Sequence, residues 1–285
     1  MEQSDYSTIV DRLRAAGCVF AEEEAALLIA ETENQRERES LVQRRVDGFP
    51  LEYLLGWAEF YGLRIAVAPG VFVPRRRTEF LVNQALRLLP AASKPIVVDL
   101  CCGAGGIAAA IATARPTAEV HAADLDPAAV GCARQNLASF AGAASTSSTA
   151  GTELSLAQAS VHQGELFEAL PAILRGRVSL LVVNAPYVPT EEIALMPAEA
   201  RLYETSSALD GGQDGLDIQR RVAAEVSNWI APGGHIVMET SERQAPASAE
   251  LFAEQGLSVQ VRSSTELAAT VIVAGVPGGG ADAAE

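Results

Sequence analysis

Apolar positions over the first 45 or so residues recur at helical spacing, with Ile9, Leu13 and Ala16 on one face and Ala25, Leu28 and Ile29 on another short stretch. Gly48, Pro50 and Gly56 break that pattern in DGFPLEYLLG. AEFYGLRIAVAPGVFV then alternates apolar with other residues, and its turn signals at Gly62 and Pro69-Gly70 predict a β-hairpin. Residues 1–74 are therefore expected to form a small helical N-terminal domain with a hairpin. Thr78 with Glu79 marks a helix start, followed by a stripe of Leu81, Val82, Ala85, Leu86 and Leu89.

From there, short apolar runs alternate with helical patterns. PIVVDL, AEVHAAD, ASVHQ, VSLLVV, HIVMET, LSVQV and TVIVAG read as strands. GIAAAIATA, PAAVGCARQNL and stretches near residues 216–229 and 247–255 read as helices. This alternation predicts an α/β domain over residues 75–276, built on a doubly wound and mostly parallel sheet. The last two strands lie too close for a full crossover helix, so they are expected to pair antiparallel at the end of the sheet. Residues 141–155 are rich in Ala, Ser, Thr and Gly and read as a flexible insertion, and residues 277–285 read as a disordered tail.

Composition narrows the class. The 285 residues are 49% hydrophobic and 20% charged, a globular balance. The polar N-terminus lacks a signal-peptide core, and no run approaches the length of a membrane span, so a cytoplasmic protein with no membrane partner is expected. A net charge of −15 weighs against nucleic acid as a partner, because phosphate binders carry a basic face. Cys18, Cys101, Cys102 and Cys132 form neither a CxxC pair nor a Cys/His cluster, so no metal site is expected.

Three constellations carry chemistry. VVDLCCGAGG ends a strand at Asp99 and turns through small residues into a helix, where the crevice beyond the strand ends receives ligands. The next strand ends at Asp124, placed to accept hydrogen bonds from ribose hydroxyls. The first turn lacks a G-x-G-x-x-G and any basic residue, so a ribose ligand without pyrophosphate, such as S-adenosyl-L-methionine, fits it better than a dinucleotide. Asp126 before Pro127 reads as a helix cap rather than a ligand. Finally, Asn184-Ala185-Pro186-Tyr187 follows the fourth strand and is close to the (N/D)PPY motif of methyltransferases acting on planar amide or amino nitrogens.

With these motifs, the chain resembles the HemK-type family of bacterial glutamine methyltransferases that modify peptide chain release factors. The resemblance runs from about Gly48 to Gly275 and includes GFPLEYLLG, EFYGLRIAVAPGVFVPRRRTEFLV, YETSSALDGGQDGLDIQRR and APGGHIVMETSERQ. It implies a Rossmann-like methyltransferase fold behind an N-terminal domain that helps grip a protein substrate. It also implies that Asp99, Cys101, Cys102, Gly103, Ala104 and Gly105 surround the methionine part of the cofactor. Asp124 would meet the ribose and Glu165 and Leu166 the adenine, while Asn184 to Tyr187 would hold the acceptor glutamine. Two departures stand out: Ala185 replaces the first of two usual prolines, and Cys101-Cys102 replaces Gly-Thr. Two other readings stay open. One is a methyltransferase for an exocyclic amino group of DNA or RNA, and the other is an inactive paralogue that binds the cofactor and docks to a partner. His121, His162 and His235 are read as structural or exposed, because no general base is needed.

Overall fold

The sheet takes its strand order from how completely each apolar run is buried. A computed structural model describes residues 2–89, 94–146 and 158–276. Its main sheet comprises β3 (Ile96–Leu100), β4 (Glu119–Asp124), β5 (Gln158–Gln163), β6 (Val178–Val183), β7 (Ile230–Thr240), β8 (Ser258–Ser264) and β9 (Ala269–Gly275) in the order β5-β4-β3-β6-β7-β9-β8. The first five run parallel. β9 pairs antiparallel with both β7 and β8. The last two strands thus pair as expected, but the final one is inserted inside the sheet. Every residue of ATVIVAG is buried, which suits an interior strand, whereas the polar SVQVRSS suits the edge.

Alternate residues of each central strand feed opposite faces. Val97, Leu180 and Val182 join α5 (Glu79–Leu88), α6 (Gly106–Ala114) and α7 (Pro127–Thr146). Val98, Leu181 and Val183 join α9 (Asp217–Val226) and α10 (Ala245–Ala253). Gly105 and Gly106 allow close helix contacts. A Cβ at Gly105 would stand 3.0 Å from the Ala133 Cβ. α7 runs through Thr146, so residues 141–146 of the expected insertion are helical. Residues 147–155 and the expected tail, 277–285, lie outside the described residues.

α1 (Glu2–Ala15), α2 (Ala21–Ala30) and α3 (Gln35–Val46) close over a separate core of Ile9, Val10, Leu13, Ala25, Leu28 and Val42. Ala16 lies beyond the end of α1 and is exposed, so Val10 takes its expected place in that core. A short α4 (Leu51–Leu55) and the hairpin β1 (Trp57–Phe60) and β2 (Leu63–Ala66) follow. Buried Arg45 joins the bundle to the rest, pairing with Glu24 at 2.5 Å and with Glu199 of α8 (Ala198–Tyr203) at 2.5 Å. Among the described residues, no helix is long and apolar enough to cross a membrane.

Candidate active site

The strand order reverses between β4-β3 and β6, and the crevice opens there, at the C-terminal ends of the parallel strands. After β3 the chain turns through Cys101, Gly103 and Gly105, with φ of 57°, 54° and 78°. Glycine takes such angles freely, but a cysteine there is strained. Three backbone anchors fix this turn. Cys102 N donates to the Ala123 carbonyl at 3.1 Å, Gly105 N to the Cys102 carbonyl at 2.8 Å, and Gly103 N to Asp124 Oδ2 at 2.8 Å.

Asp99 has no exposed surface, and its Oδ2 accepts the Ala108 N–H at 3.0 Å, which satisfies a free donor in the first turn of α6. Burial pushes its carboxyl up to about 8, opposed by the Ala108 bond and reinforced by the charge of Asp124. Asp124 ends β4 and accepts from the Gly103 and Asp126 amides, and burial raises its pKa as well. Asp126 Oδ1 accepts the Ala128 N–H at 2.8 Å, the geometry of a helix cap ahead of Pro127.

After β5, Gly164, Glu165 and Leu166 bend back toward the crevice. Leu166 is buried at φ 45°. Glu165 is solvent-facing and pairs with Arg221 of α9 at 2.5 Å, which holds its carboxyl below its usual value. After β6, Asn184 donates from Nδ2 to Thr78 Oγ1 at 3.4 Å, and Ala185 is buried. The Tyr187 hydroxyl donates to Glu239 Oε1 at 3.1 Å, and Arg77 lies over its ring at 5.8 Å while pairing with the same carboxylate at 3.3 Å. Burial, then Glu239, pushes the Tyr187 phenol well above its ordinary range.

These pieces meet in one cavity of about 420 Å³. Cys101, Cys102, Gly103, Ala104, Asp124, Glu165, Leu166 and Asn184 to Tyr187 all line it. Asp99 and Gly105 do not line it, and they stand behind the wall as supports for α6. His121 and His162 face each other at 3.0 Å on β4 and β5, and none of the three histidines lines the cavity.

Sequence reasoning missed two supports. The Asn136 amide bonds the Ala66 and Ala104 carbonyls at 2.9 and 2.8 Å and accepts from Ala66 N at 2.8 Å, tying the hairpin to the glycine turn. Its signal was a polar residue that the helix α7 buries. The DGGQDGL run was noted only for its resemblance, but it braces the Tyr187 loop. Gly211 N donates to the Val188 carbonyl at 2.8 Å, and Gln244 Nε2 donates at 2.9 Å to both the Tyr187 and Asp214 carbonyls. A Cβ at Gly215 would fall 2.3 Å from the Tyr187 oxygen.

The fold is shared with solved methyltransferases. A methyltransferase from Pyrococcus furiosus matches with a TM-score of 0.53 at 12% identity, over 86% of this chain and all of that one. A ribosomal protein L11 methylase from Lactobacillus delbrueckii matches with a TM-score of 0.50 at 14% identity, over 74% of this chain and 84% of that one. At these identities the likeness concerns the fold. The family model described as Methyltransferase small domain matches residues 62–213. This sheet order, with a crevice at the strand ends and an acidic β4 terminus, defines a methyltransferase of the class that uses S-adenosylmethionine. Among curated proteins, the release factor glutamine methyltransferase of Geobacter sulfurreducens is 36% identical over 216 residues, covering 76% of this chain and 69% of its own. That of Bordetella pertussis is 36% identical over 235 residues, covering 82% and 80%. The chain belongs to the release factor glutamine methyltransferase family.

Proposed function

We propose that this protein moves the methyl group of S-adenosylmethionine onto the side-chain amide nitrogen of a protein glutamine, in the Gly-Gly-Gln loop of a peptide chain release factor. One observation carries the reading: the Asn184–Tyr187 loop and the Asp124 turn open into the same cavity. The family names carried by its relatives point to the same substrate.

The residues present fit the cofactor. Asp124 lines the cavity and offers a carboxylate to ribose hydroxyls. Ala104, Ile107 and Leu166 supply apolar wall, and no basic side chain stands in the turn to hold a pyrophosphate. Cys101, Cys102 and Gly103 would lie along the methionine part, with Leu166 and Glu165 at the adenine end. When bound, S-adenosylmethionine supplies an electrophilic methyl group on a sulfonium.

The protein's task is to aim a poor nucleophile. Resonance draws the amide nitrogen lone pair into the carbonyl and flattens the group. Asn184 Oδ1 and the main-chain carbonyl of Ala185 accept its two N–H bonds, which fixes the plane of the amide. Positioning of this kind is worth up to about 7–11 kcal/mol. The same acceptors stabilise positive charge growing on nitrogen. The proton displaced by the new N–C bond is acidic and leaves to water, so no tuned base is required. Tyr187 walls the acceptor side. Residues 1–74 would act as a recognition domain for the protein substrate, and exposed Val19, Phe20, Leu195 and Leu202 supply apolar surface for such a partner. The setting is the cytoplasm, where release factors act.

The test is methyl transfer from labelled cofactor to a release factor, to total protein and to nucleic acid. Asn184→Ala should leave cofactor affinity nearly unchanged and cut transfer by about 10²–10³. Asp124→Ala should weaken cofactor binding, each ribose bond to a charged acceptor being worth about 1.5–3 kcal/mol. A methyl group found on nucleic acid, or on no glutamine of any protein tested, would overturn the proposal.

A further inference from the structure

We infer that Glu239 is the counter-ion that lets this cavity take a cationic cofactor: from behind the wall it neutralises Arg77, the guanidinium beside the acceptor loop, and so sets the preference for sulfonium S-adenosylmethionine over the neutral thioether that remains after transfer. This deepens the function proposed above and rests on it for the identity of the cofactor.

The cofactor and its product share adenine, ribose and amino-acid groups. They differ by one methyl and by the positive charge on sulfur, so the field of the cavity wall acts on one and not on the other. Among the described residues, three basic side chains line the cavity: Arg75, Arg77 and Arg221. Arginine stays charged throughout, and an unpaired guanidinium so placed would repel both the sulfonium and the positive charge that grows on the acceptor nitrogen. Each of the three is paired with a carboxylate: Arg75 with Glu204, Arg77 with Glu239 at 3.3 Å, and Arg221 with Glu165. Glu165 lines the cavity itself. Glu204 and Glu239 do not, and the side chain of each is only 2% exposed. Burying a carboxylate costs its hydration, which only a close cation or good hydrogen bonds offset.

Of the two buried carboxylates, Glu204 also has a main-chain task, since it accepts the Val73 N–H at 3.2 Å. Glu239 makes no such backbone bond among the described residues. Its Oε1 faces Arg77 Nε and the Tyr187 hydroxyl, while its Oε2 is buried without a partner. Arg77 is therefore the cation that compensates it. The fold puts this pair at the acceptor end of the cavity. β7 is in register with β6 through Val183 and Met238, which sets Glu239 level with the start of the Asn184–Tyr187 loop. The Arg77 guanidinium lies 5.8 Å from the centre of the Tyr187 ring, a face that attracts cations, so its charge is held beside the site of transfer.

The experiment measures, by calorimetry on the full chain, the affinities of S-adenosylmethionine and S-adenosylhomocysteine for wild type, Glu239→Gln and the double variant Arg77→Gln/Glu239→Gln. Glutamine keeps the size of the side chain and an accepting oxygen for Tyr187 but removes the charge. The single variant leaves Arg77 unpaired, so the ratio of cofactor to product affinity should fall about fivefold at low ionic strength, the scale of two charges interacting across a partly solvated cavity. The double variant removes both charges and should return the ratio to within about twofold of wild type. Lost packing or a displaced loop would weaken both ligands alike, and a second substitution would not reverse it. In the wild-type chain, the Glu239 carboxyl carbon-13 resonance, assigned through the backbone, should report an ionised group near pH 7, a measurement that needs no variant to fold. Equal weakening of both ligands in Glu239→Gln, a double variant as biased as the single one, or a protonated Glu239 in wild type would overturn the inference. Binding of neither ligand to wild type would refute cofactor use and this inference with it. The expected shift in ratio in a chain that methylates no glutamine would support the inference and refute only the substrate proposed above.

Discussion

One methyl group added at Gly215 should destabilise this protein far more than backbone strain accounts for. Gly215 has φ +78°, and the Cβ of an alanine there would stand 2.2 Å from Gln244 Nε2 and 2.3 Å from the Tyr187 carbonyl oxygen. Gly256 has nearly the same φ, +77°, with nothing within 4 Å of its Cβ position. The two alanine variants therefore share the conformational cost, about 1–2 kcal/mol for a left-handed residue, less about 0.4–1 kcal/mol for the stiffer unfolded chain. Only Gly215→Ala must also displace the Gln244 amide, breaking its bonds to the Tyr187 and Asp214 carbonyls. At about 1 kcal/mol each, and more where a carbonyl is left buried and unpaired, the extra cost is about 2–4 kcal/mol. At about 2–4 °C per kcal/mol, Gly215→Ala should melt at least about 4 °C below Gly256→Ala in scanning calorimetry. It should also lose methyl transfer, because the displaced carbonyl belongs to the acceptor loop, whereas Gly256→Ala should keep it. Equal midpoints together with intact transfer in Gly215→Ala would refute the idea that this run braces the loop.

Three further outcomes are expected. Asp99 is raised to about 8 in the folded protein against about 3.9 unfolded, so the folded state holds its proton in that window and loses stability as pH climbs through it. Asp99→Asn should flatten the stability profile between pH 5 and 8, measured by denaturant titration, and an unchanged slope would show that Asp99 is ionised throughout. Tyr187→Phe leaves buried Glu239 with Arg77 alone and should cost about 1–3 kcal/mol of stability, and a neutral result would mean the phenol bond adds nothing. Cys101→Gly relieves a left-handed cysteine at about 1–2 kcal/mol against an entropic loss of about 0.5–1 kcal/mol. Its melting point should rise slightly, and a fall would show that the sulfur's packing outweighs the strain.

Much of this architecture was legible along the chain because local patterns report it directly. Short runs such as VSLLVV, β-branched and apolar at nearly every position, suit strands buried on both faces, and the helical stripes between them supply crossovers and hence a parallel sheet. The positions of Asp124 and Asn184 beside the crevice were legible too, since one closes β4, the other follows β6, and strand ends in this topology face the crevice. The cap at Asp126 followed from its place before Pro127. What adjacency in space decides was hidden. The tight turn between β8 and β9 leaves open which of the two lies beside β7; the apolar run of β9 suits the interior, and the packed sheet places it between β7 and β8. Thr78 read as part of a helix start because such signals are local, and only tertiary structure brings Asn184 within reach of its hydroxyl. The family resemblance implies that Asp99 surrounds the methionine part of the cofactor, whereas here its carboxyl bonds the Ala108 N–H of α6 and the residue does not line the cavity. Sequence determines which residues must be buried and where the chain must turn. The direction in which a buried polar group points is set by whichever distant partner satisfies its hydrogen bonds, and that is a property of the packed molecule alone.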